Sequence, residues 1–341
     1  MIFCTSVCLN HLAKAKILAR SLKKHMPQSK LVICLLERSV PVHLLEDEDF
    51  DEVVLAKDMG FANFESMIFK YTQYEAACAC KGQLMKYVYN KYNKEQFFSY
   101  IDSDTQVFSR FDEVFSALKT HSIVFTPHYN EPPRDTHTIW GENAEILILR
   151  VGIINGGFIG MKRSVQSEKF LDWWTARLER YAYNDAELGL FTDQRWLTAA
   201  MILFDSIYVL KHDGFNVAFW NTNQRSITMK KEVYLSNGVP FRFFHFSNIH
   251  YLRERLPEDS HALSKVVHQY LAQLEEFETI YPTHFEWSYS CFEDGRLIED
   301  YVREFYKYNP NLENLTPNPY SLSARAIRQL NKKKKKKVRY H

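Results

Sequence analysis

The feature that most constrains the fold is an apolar strand that ends in two aspartates. Residues 97–108 read FFSYIDSDTQVF, in which an aromatic run up to Ile101 is followed by Asp102 and Asp104. This composition favours a strand buried in a parallel sheet, and the ligands of such sheets bind beyond the carboxyl ends of the strands. Carboxylates one residue apart at that position can face one Mg²⁺ or Mn²⁺ ion, although an isolated Asp-x-Asp is also common in plain acidic loops.

Around this strand, short apolar runs alternate with segments of helical spacing. Strands are predicted at residues 2–8, 31–36, 53–56, 123–126, 152–162, 207–210, 217–221 and 241–247, and helices at residues 9–25, 61–92, 111–118 and 170–181. This alternation predicts an α/β fold with a doubly wound, mostly parallel central sheet and flanking helices. No Gly-x-Gly-x-x-Gly follows the first strand and no P-loop motif occurs, so a bound nucleotide would be held differently.

Three further polar groups interrupt or end apolar segments. Asn155, followed by two glycines, indicates either a β-bulge or a close approach of a ligand to the backbone. Asp193 and Gln194 begin a predicted helix, where an N-cap role would account for Asp193. His245 ends an aromatic strand, as either a structural residue or a ligand. Residues 128–142 lack periodicity and are predicted to form a loop near a site.

Composition and charge exclude several classes of protein. With 46% hydrophobic and 25% charged residues the chain is globular, and its six cysteines show no Cys-x-x-Cys spacing, which favours free thiols in a reducing cytoplasm. No basic leader precedes the first strand, and no apolar stretch reaches the ~20 residues that a membrane span needs. The single basic run, Lys332 to Lys337, argues against a nucleic-acid-binding protein.

Taken in order, these motifs resemble those of the GT-A class of nucleotide-sugar glycosyltransferases. The likeness is to the branch that contains bacterial lipopolysaccharide galactosyltransferases and glycogenin, and it spans residues 2–249. The ordered set is the first strand, a lysine before the acidic strand, YIDSD, INGG, TDQ, FWN and FHFS. The first strand lacks the acidic residue that the family often carries there, and no Lys-Pro-Trp follows the final histidine.

The resemblance implies a role for individual residues. Asp102, Asp104 and His245 would hold a divalent cation, Mn²⁺ or Mg²⁺. Asp193 and Gln194 would face the anomeric centre and the acceptor. The nucleotide-sugar donor, with UDP as the expected nucleotide, would contact Thr5, Asn10, Lys81, Ser103, Asn155, Gly156 and Asn221.

The implied function is transfer of a sugar, with retention of configuration, to a glycan or glycolipid acceptor in cell-surface polysaccharide synthesis. An inverting enzyme would need a carboxylate base near the acceptor hydroxyl, a role left open for Glu142 and Glu145. The alternatives are a catalytically inert protein that binds nucleotide sugars or glycans, and a phosphatase of the haloacid dehalogenase type. The second fits poorly because Gln106 stands where that motif has Thr or Val.

Three segments are predicted: a GT-A domain (residues 1–255), a helical C-terminal extension (residues 256–320) and a basic amphipathic tail (residues 321–341). Residues 285–308 mix aromatic and charged side chains and would either help to form the acceptor side or simply pack on the surface. A lysine run beside an amphipathic helix favours contact with an anionic membrane surface, with a solvated tail or nucleic-acid contact as alternatives. The expected location is cytoplasmic, with peripheral contact at the inner face of the cytoplasmic membrane.

Overall fold

The computed structural model of the chain describes residues 1–134, 136–256, 260–281 and 283–322. Its longer strands are β1 (Ile2–Val7), β2 (Lys30–Leu35), β3 (Glu52–Leu55), β4 (Phe97–Ile101), β5 (Thr105–Val107), β6 (Ile123–Pro127), β9 (Ile154–Lys162), β12 (Ile207–Val209), β13 (Ile227–Lys230), β14 (Val233–Ser236) and β16 (Phe243–His245). Two-residue strands are β7 (Thr138–Ile139), β8 (Glu142–Asn143), β10 (Asn184–Asp185), β11 (Leu190–Phe191) and β15 (Val239–Pro240).

The central sheet has seven strands in the order β12-β6-β9-β4-β1-β2-β3. Strand β9 runs antiparallel to both of its neighbours, β4 and β6. The other neighbouring pairs are parallel. The predicted α/β class with a mostly parallel sheet is therefore confirmed, and the acidic tip of β4 lies at the carboxyl end of a central strand.

Helices cover both faces of this sheet. They are α1 (Leu12–His25), α2 (Val42–Leu45), α3 (Phe64–Phe69), α4 (Gln73–Lys91), α5 (Asp112–Thr120), α6 (Ala144–Val151), α7 (Val165–Tyr181), α8 (Gln194–Leu203), α9 (Ile249–Arg253), α10 (His261–Glu278), α11 (Asp300–Lys307) and α12 (Asn311–Leu315). One apolar core contains residues of α1, α5 and α10, and the other contains residues of α3, α4, α7 and α8. Side chains of β1 alternate between the two faces of the sheet, so that Phe3 packs in the first core and Cys4 in the second.

Two predicted elements differ from those in the structure. The single helix predicted at residues 61–92 is divided into α3 and α4, because Thr72 and Glu75 form a capping box that starts a new helix. The strand predicted at residues 217–221 is wrong. Val217 forms one bridge to Phe244, and the chain then turns, with the Asn221 side chain accepting a hydrogen bond from the Ala218 backbone N–H.

The C-terminal part of the described chain packs against both cores. Tyr270 of α10 lies in the first core and Trp287 in the second, where the Trp287 Nε1–H donates a hydrogen bond of 2.9 Å to the Leu36 carbonyl. The predicted segment boundary at residue 255 stays a prediction, and the lysine run lies outside the described residues. None of the helices in the described ranges combines the length and the apolar composition needed to cross a membrane.

Candidate functional site

The loop after β4 is fixed from two sides by backbone hydrogen bonds. The Asp102 N–H donates to the Gly157 carbonyl at 2.9 Å, and the Phe246 N–H donates to the Asp104 carbonyl at 2.7 Å. Strand β16 pairs antiparallel with β5, so that His245 lies opposite Thr105. The histidine at the end of the last aromatic strand is therefore beside Asp104, which precedes it by 141 positions in the sequence.

Asp102, Asp104 and His245 form a compact group of metal-type ligands. One ligand atom from each lies within 4.8 Å of the others. The His245 Nε2 is 3.1 Å from Asp104 Oδ1 and 3.7 Å from Asp102 Oδ2. Burial acts to lower the pKa of His245, but the neighbouring carboxylates outweigh it and raise that pKa. Two carboxylates and one imidazole facing a common point suit a divalent cation such as Mn²⁺.

The other ring nitrogen of His245 faces Asn216. The His245 Nδ1 lies 3.4 Å from Asn216 Oδ1, and Asn216 itself donates a hydrogen bond of 3.2 Å to the Pro127 carbonyl. An N–H at Nδ1 donating to the amide oxygen leaves Nε2 free to face the carboxylates. Asn216 has a backbone φ of 51°, in the left-handed region that asparagine tolerates better than most residues. Asn216 thus orients the imidazole.

Lys81 of α4 reaches the same site from the helix layer. Its Nζ lies 3.1 Å from Asp102 Oδ1, 3.2 Å from Asp193 Oδ2 and 3.1 Å from the Gly156 carbonyl oxygen. Burial acts to lower the pKa of Lys81, but Asp102 and Asp193 outweigh it and raise the pKa well above its ordinary value. The ammonium group therefore stays charged and links the two carboxylates.

Asp193 stands at the N-cap position of α8 but does not cap the helix. Its side chain makes no capping hydrogen bond, contrary to the interpretation from sequence. Instead Oδ1 accepts a hydrogen bond of 3.3 Å from the Thr192 hydroxyl, and Oδ2 pairs with Lys81. Only 2% of Asp193 is exposed. Burial raises the pKa of this carboxyl, although Lys81 opposes the shift.

The glycines of β9 allow two side chains to approach the backbone. A Cβ on Gly156 would lie 2.2 Å from Asp193 Oδ2, and one on Gly157 would lie 2.6 Å from His245 Cε1. The pairing of β9 with β6 also shifts register between Phe125 and Thr126. The ladder is therefore irregular here, as the β-bulge interpretation predicts, and the groups that approach the two glycines are side chains of the site. A close approach of a ligand to this backbone stays a prediction.

Gln194 and Asn155 hold this irregular stretch in place. The Gln194 Oε1 accepts a hydrogen bond of 3.0 Å from the Gly156 N–H, and its Nε2 donates to the Val151 carbonyl at 2.9 Å. The Asn155 Oδ1 accepts a hydrogen bond of 2.9 Å from the Gly157 N–H. Both amide side chains therefore shape the backbone beside the carboxylates.

These groups line one cavity of about 310 Å³. Nine of the residues predicted from sequence lie in its wall: Lys81, Asp102, Ser103, Asp104, Asn155, Gly156, Asp193, Gln194 and His245. The wall also contains aromatic residues, among them Tyr74 and Trp140, each 54% exposed. The cavity is of the size that small-molecule sites commonly have, and its charged groups are concentrated on one side.

Three other predicted donor contacts are not brought to this wall. Thr5 is a fully buried residue of β1, and its side chain lies on the opposite face of the sheet from that of the wall residue Ser6. Asn10 accepts a hydrogen bond from Gln73 at 3.3 Å. Asn221 is fully buried and donates to the backbone carbonyls of His128 and Asn216, each at 2.9 Å, which ties down the loop that carries Asn216.

The segments proposed for the acceptor side also lie elsewhere. Glu142 pairs with Arg150 at 2.7 Å and, like Glu145, is absent from the described wall of this cavity. Among the described residues, no wall residue follows Ser247, so residues 285–308 lie outside the cavity wall. They pack into the second core instead, through side chains such as Tyr289.

Several residues of the site were not predicted from sequence. The Tyr100 hydroxyl donates a hydrogen bond of 2.8 Å to Asp102 Oδ1. Its position two residues before Asp102 is a usable signal, because alternate residues of a strand share one face. Thr192 lies in the TDQ motif and Trp140 in the loop predicted at residues 128–142, although neither was named, whereas Asn216 follows no pattern that would have singled it out.

Comparisons by sequence found two similar proteins. No family model matches the chain. Two uncharacterised proteins of Bacillus subtilis (strain 168) are similar in sequence: YfnD is 23% identical over 258 residues, covering 74% of this chain and 79% of YfnD. YfnF is 24% identical over 254 residues, covering 72% of this chain and 80% of YfnF.

Three solved structures are similar in fold, at low identity. The galactosyltransferase LgtC in complex with donor and acceptor sugar analogs has a TM-score of 0.48 and 10% identity, with 81% of this chain and 96% of that chain covered. The glycosyltransferase GlyE of Streptococcus pneumoniae TIGR4 has a TM-score of 0.45 and 15% identity, with coverage of 86% and 66%. Mouse xyloside xylosyltransferase 1 has a TM-score of 0.39 and 14% identity, with coverage of 72% and 96%. All three of these proteins are described as glycosyltransferases.

Proposed function

We propose that this protein is a metal-dependent glycosyltransferase that moves a sugar from a nucleoside-diphosphate donor, with UDP as the expected nucleotide, to a glycan or glycolipid acceptor. The observation that carries the proposal is the contact of Lys81 with both Asp102 and Asp193. It joins a group of cation ligands to a buried carboxylate within one cavity. Sugar transfer from such a donor needs both: a cationic environment for the departing diphosphate and an anionic group at the sugar.

The ligand set fits a resident divalent cation. Asp102, Asp104 and His245 would hold Mn²⁺ or Mg²⁺, and Asn216 and Tyr100 would orient two of these ligands. When bound, such an ion supplies positive charge to the diphosphate oxygens of the leaving group. The buried Lys81 ammonium adds to the positive charge on this side of the cavity.

On the sugar side, Asp193 is the carboxylate placed to act. In the reaction, the bond between the anomeric carbon and the diphosphate oxygen breaks, the acceptor oxygen forms a bond to that carbon, and the proton of the acceptor hydroxyl passes to the departing diphosphate oxygen. Positive charge that develops on the sugar ring is stabilised by a nearby anion. Asp193 is buried and fixed by Lys81 and Thr192, so its carboxylate has little freedom to reorient. The amide of Gln194 keeps the adjacent backbone in position.

Retention of configuration is the stereochemical outcome that we propose. An inverting reaction needs a separate carboxylate base beside the acceptor hydroxyl. In the described part of the cavity wall the carboxylates are Asp102, Asp104 and Asp193; the first and third contact the Lys81 ammonium, and Asp104 contacts the His245 imidazole. This supports a mechanism without a dedicated base. Roles in cell-surface polysaccharide synthesis, a cytoplasmic location and contact of the lysine run with an anionic membrane remain proposals from the sequence.

A thermal-shift panel tests the donor site directly. The protein is heated with nucleoside diphosphates and nucleotide sugars, with and without Mn²⁺, as wild type, as Asp104→Ala and as the control Asp172→Ala. Asp172 is an exposed residue of α7 that pairs with Lys86. A ligand present at 100 times its Kd stabilises the folded state by about 2.7 kcal/mol. We expect Mn²⁺-dependent stabilisation by a UDP compound in the wild type and the control, and its loss in Asp104→Ala.

The same samples separate an enzyme from an inert binder. Donor hydrolysis or transfer releases a nucleoside diphosphate, which a coupled assay detects. Stabilisation without any release would favour the inert binding protein. Folded wild-type protein that no nucleotide stabilises would refute the donor site.

A further inference from the structure

A second cavity adjoins the first and differs from it in chemistry. It has a volume of about 430 Å³ and is lined mainly by apolar side chains, including Pro127, Ile148, Leu149, Ile153, Met201 and Val209. We call it the apolar groove. The charged residues of its wall, Glu131, Glu145 and Lys211, are all exposed. A concave surface of this size and composition favours an apolar ligand over a sugar, which would need buried polar partners.

The apolar groove lies beside the cavity of the proposed reaction. Tyr129 and Ile148 belong to the walls of both. The Tyr129 hydroxyl donates to the carbonyl oxygen of Trp220, another wall residue of the first cavity, so the partition between the two is held in place. A ligand that reached from one cavity into the other would therefore pass Tyr129 and Ile148.

The outer side of the apolar groove is open to solvent. Leu149 is 63% exposed and Ile153 is 39% exposed, although both line the groove. Exposed apolar side chains grouped beside a cavity indicate a binding surface, whereas isolated ones need no explanation. The opening allows an acyl or alkyl chain to continue outward from the groove.

We propose that the apolar groove binds the hydrocarbon part of a glycolipid acceptor. The proposal rests on the proposed function, because it assigns the acceptor's sugar to the first cavity, near Asp193, and its aglycone to the second. Of the two acceptor classes left open by the sequence, a glycan without a lipid would leave the apolar groove empty. The shared wall residues place the junction between sugar and hydrocarbon at Tyr129 and Ile148.

The test measures binding of methyl, hexyl, heptyl and octyl β-D-glucosides by titration calorimetry, below their critical micelle concentrations. Burial of one methylene group strengthens binding by about fourfold, so we expect the affinity of wild-type protein to rise by that factor from hexyl to heptyl and again to octyl. The methyl glucoside gives the contribution of the sugar alone.

Two variants of α6 provide a matched pair. Leu149→Glu introduces a charge into the wall of the apolar groove, whereas Ile146→Glu introduces the same charge at a residue of equal exposure, 64% against 63%, that is outside that wall. We expect Leu149→Glu to weaken octyl glucoside binding by about tenfold or more, because it places a carboxylate against the hydrocarbon chain. Ile146→Glu should bind as the wild type does.

Several results would overturn the assignment. Affinity that does not depend on chain length, or an equal loss in both variants, would remove the aglycone from the apolar groove. A wild-type dimer that Leu149→Glu dissociates, measured by light scattering, would assign the groove to a second copy of the chain. Stabilisation by a UDP compound with Mn²⁺ is measured on the wild type, Leu149→Glu and Ile146→Glu. If this stabilisation is present but glucoside affinity does not depend on chain length, only the aglycone site is refuted. If the stabilisation is missing in folded wild type, the proposed function fails and the acceptor assignment with it.

Discussion

Replacing Gly157 by alanine tests whether the position of His245 controls metal binding. Gly157 has an ordinary negative φ, so alanine strains no backbone dihedral, and the effect comes from contact alone. The new Cβ would lie 2.6 Å from His245 Cε1 and 2.7 Å from Asn155 Oδ1, whereas ordinary contact begins at 3.4 Å. The imidazole must therefore move by about 0.8 Å or the strand must shift by a similar distance.

Such a displacement is large compared with the tolerance of a ligand site. Loss of correct ligand orientation typically costs 10–100-fold in metal affinity, and we expect Gly157→Ala to weaken Mn²⁺ binding by roughly that factor. Overpacking in a buried strand should also lower the free energy of unfolding by about 1–3 kcal/mol. Manganese affinity is measured by electron paramagnetic resonance on protein that circular dichroism shows to be folded, and stability by urea denaturation.

Gly160→Ala is the matched control on the same strand. Its Cβ would lie 3.0 Å from Val114 Cγ1, away from the ligand group, so it should reduce stability without reducing manganese affinity. Unchanged manganese binding in folded Gly157→Ala, or an equal loss in Gly160→Ala, would refute the idea that this glycine is required by the imidazole.

Three further predictions concern charge and hydrogen bonding. Lys81→Met should lower the free energy of unfolding by about 3–5 kcal/mol in denaturant titrations, because it leaves Asp102 and Asp193 without their cation. Lys86 lies on the same helix and forms an exposed ion pair with Asp172, so the control Lys86→Met should lower the free energy of unfolding by less than about 1 kcal/mol. Asn221→Ala removes three buried hydrogen bonds and should lower thermal stability, and a fall in UDP affinity without any loss of stability would instead indicate a donor contact. For Asp49, burial acts to raise the pKa, but hydrogen bonds from Lys16 and Arg20 outweigh it and lower the pKa below 3.8. The charged form of Asp49 therefore stabilises the folded state above pH 3.8, and this contribution is lost as the pH falls through the folded-state pKa. Wild type and Asp49→Asn should differ in free energy of unfolding at pH 7, and this difference should disappear only in acid. Urea denaturation from pH 7 to pH 2.5 measures it.

The sheet was predictable because its strands are apolar and short and are separated by helical spacing. The failures have local causes. The capping box at Thr72 and Glu75 was readable in the sequence as Thr-x-x-Glu, yet apolar periodicity continued across it and suggested one helix. The apolar run at residues 217–221 resembled a strand, but its terminal asparagine folds back on Ala218, a contact that composition does not reveal.

The three candidate metal ligands were predictable for a different reason. Asp102, Asp104 and His245 were assigned by order of motifs, and their proximity in the structure follows from the pairing of β16 with β5. Of the residues that orient them, Tyr100 had a usable signal in its position two residues before Asp102, whereas Asn216 was missed because it contacts His245 from a segment 29 positions away. Short polar contacts between distant segments carry no periodicity, so sequence patterns identify the ligands better than their supports.

Lys81 shows how far a role inferred from one residue can change when its neighbours are known. Sequence suggested that it faces the donor, yet the hydrogen atoms of its ammonium group are directed at Asp102, Asp193 and the Gly156 carbonyl. These acceptors come from three separate segments, so the Lys81 ammonium would fix the proposed cation-binding side and the proposed sugar side relative to each other before any substrate arrives. Such preorganisation avoids the cost of reorienting charges during the reaction. A donor phosphate that also contacted Lys81 would have to share or displace one of these acceptors. Asp102 is the carboxylate that a bound cation would draw away from Lys81, because its side chain is 25% exposed, against 3% for that of Asp193.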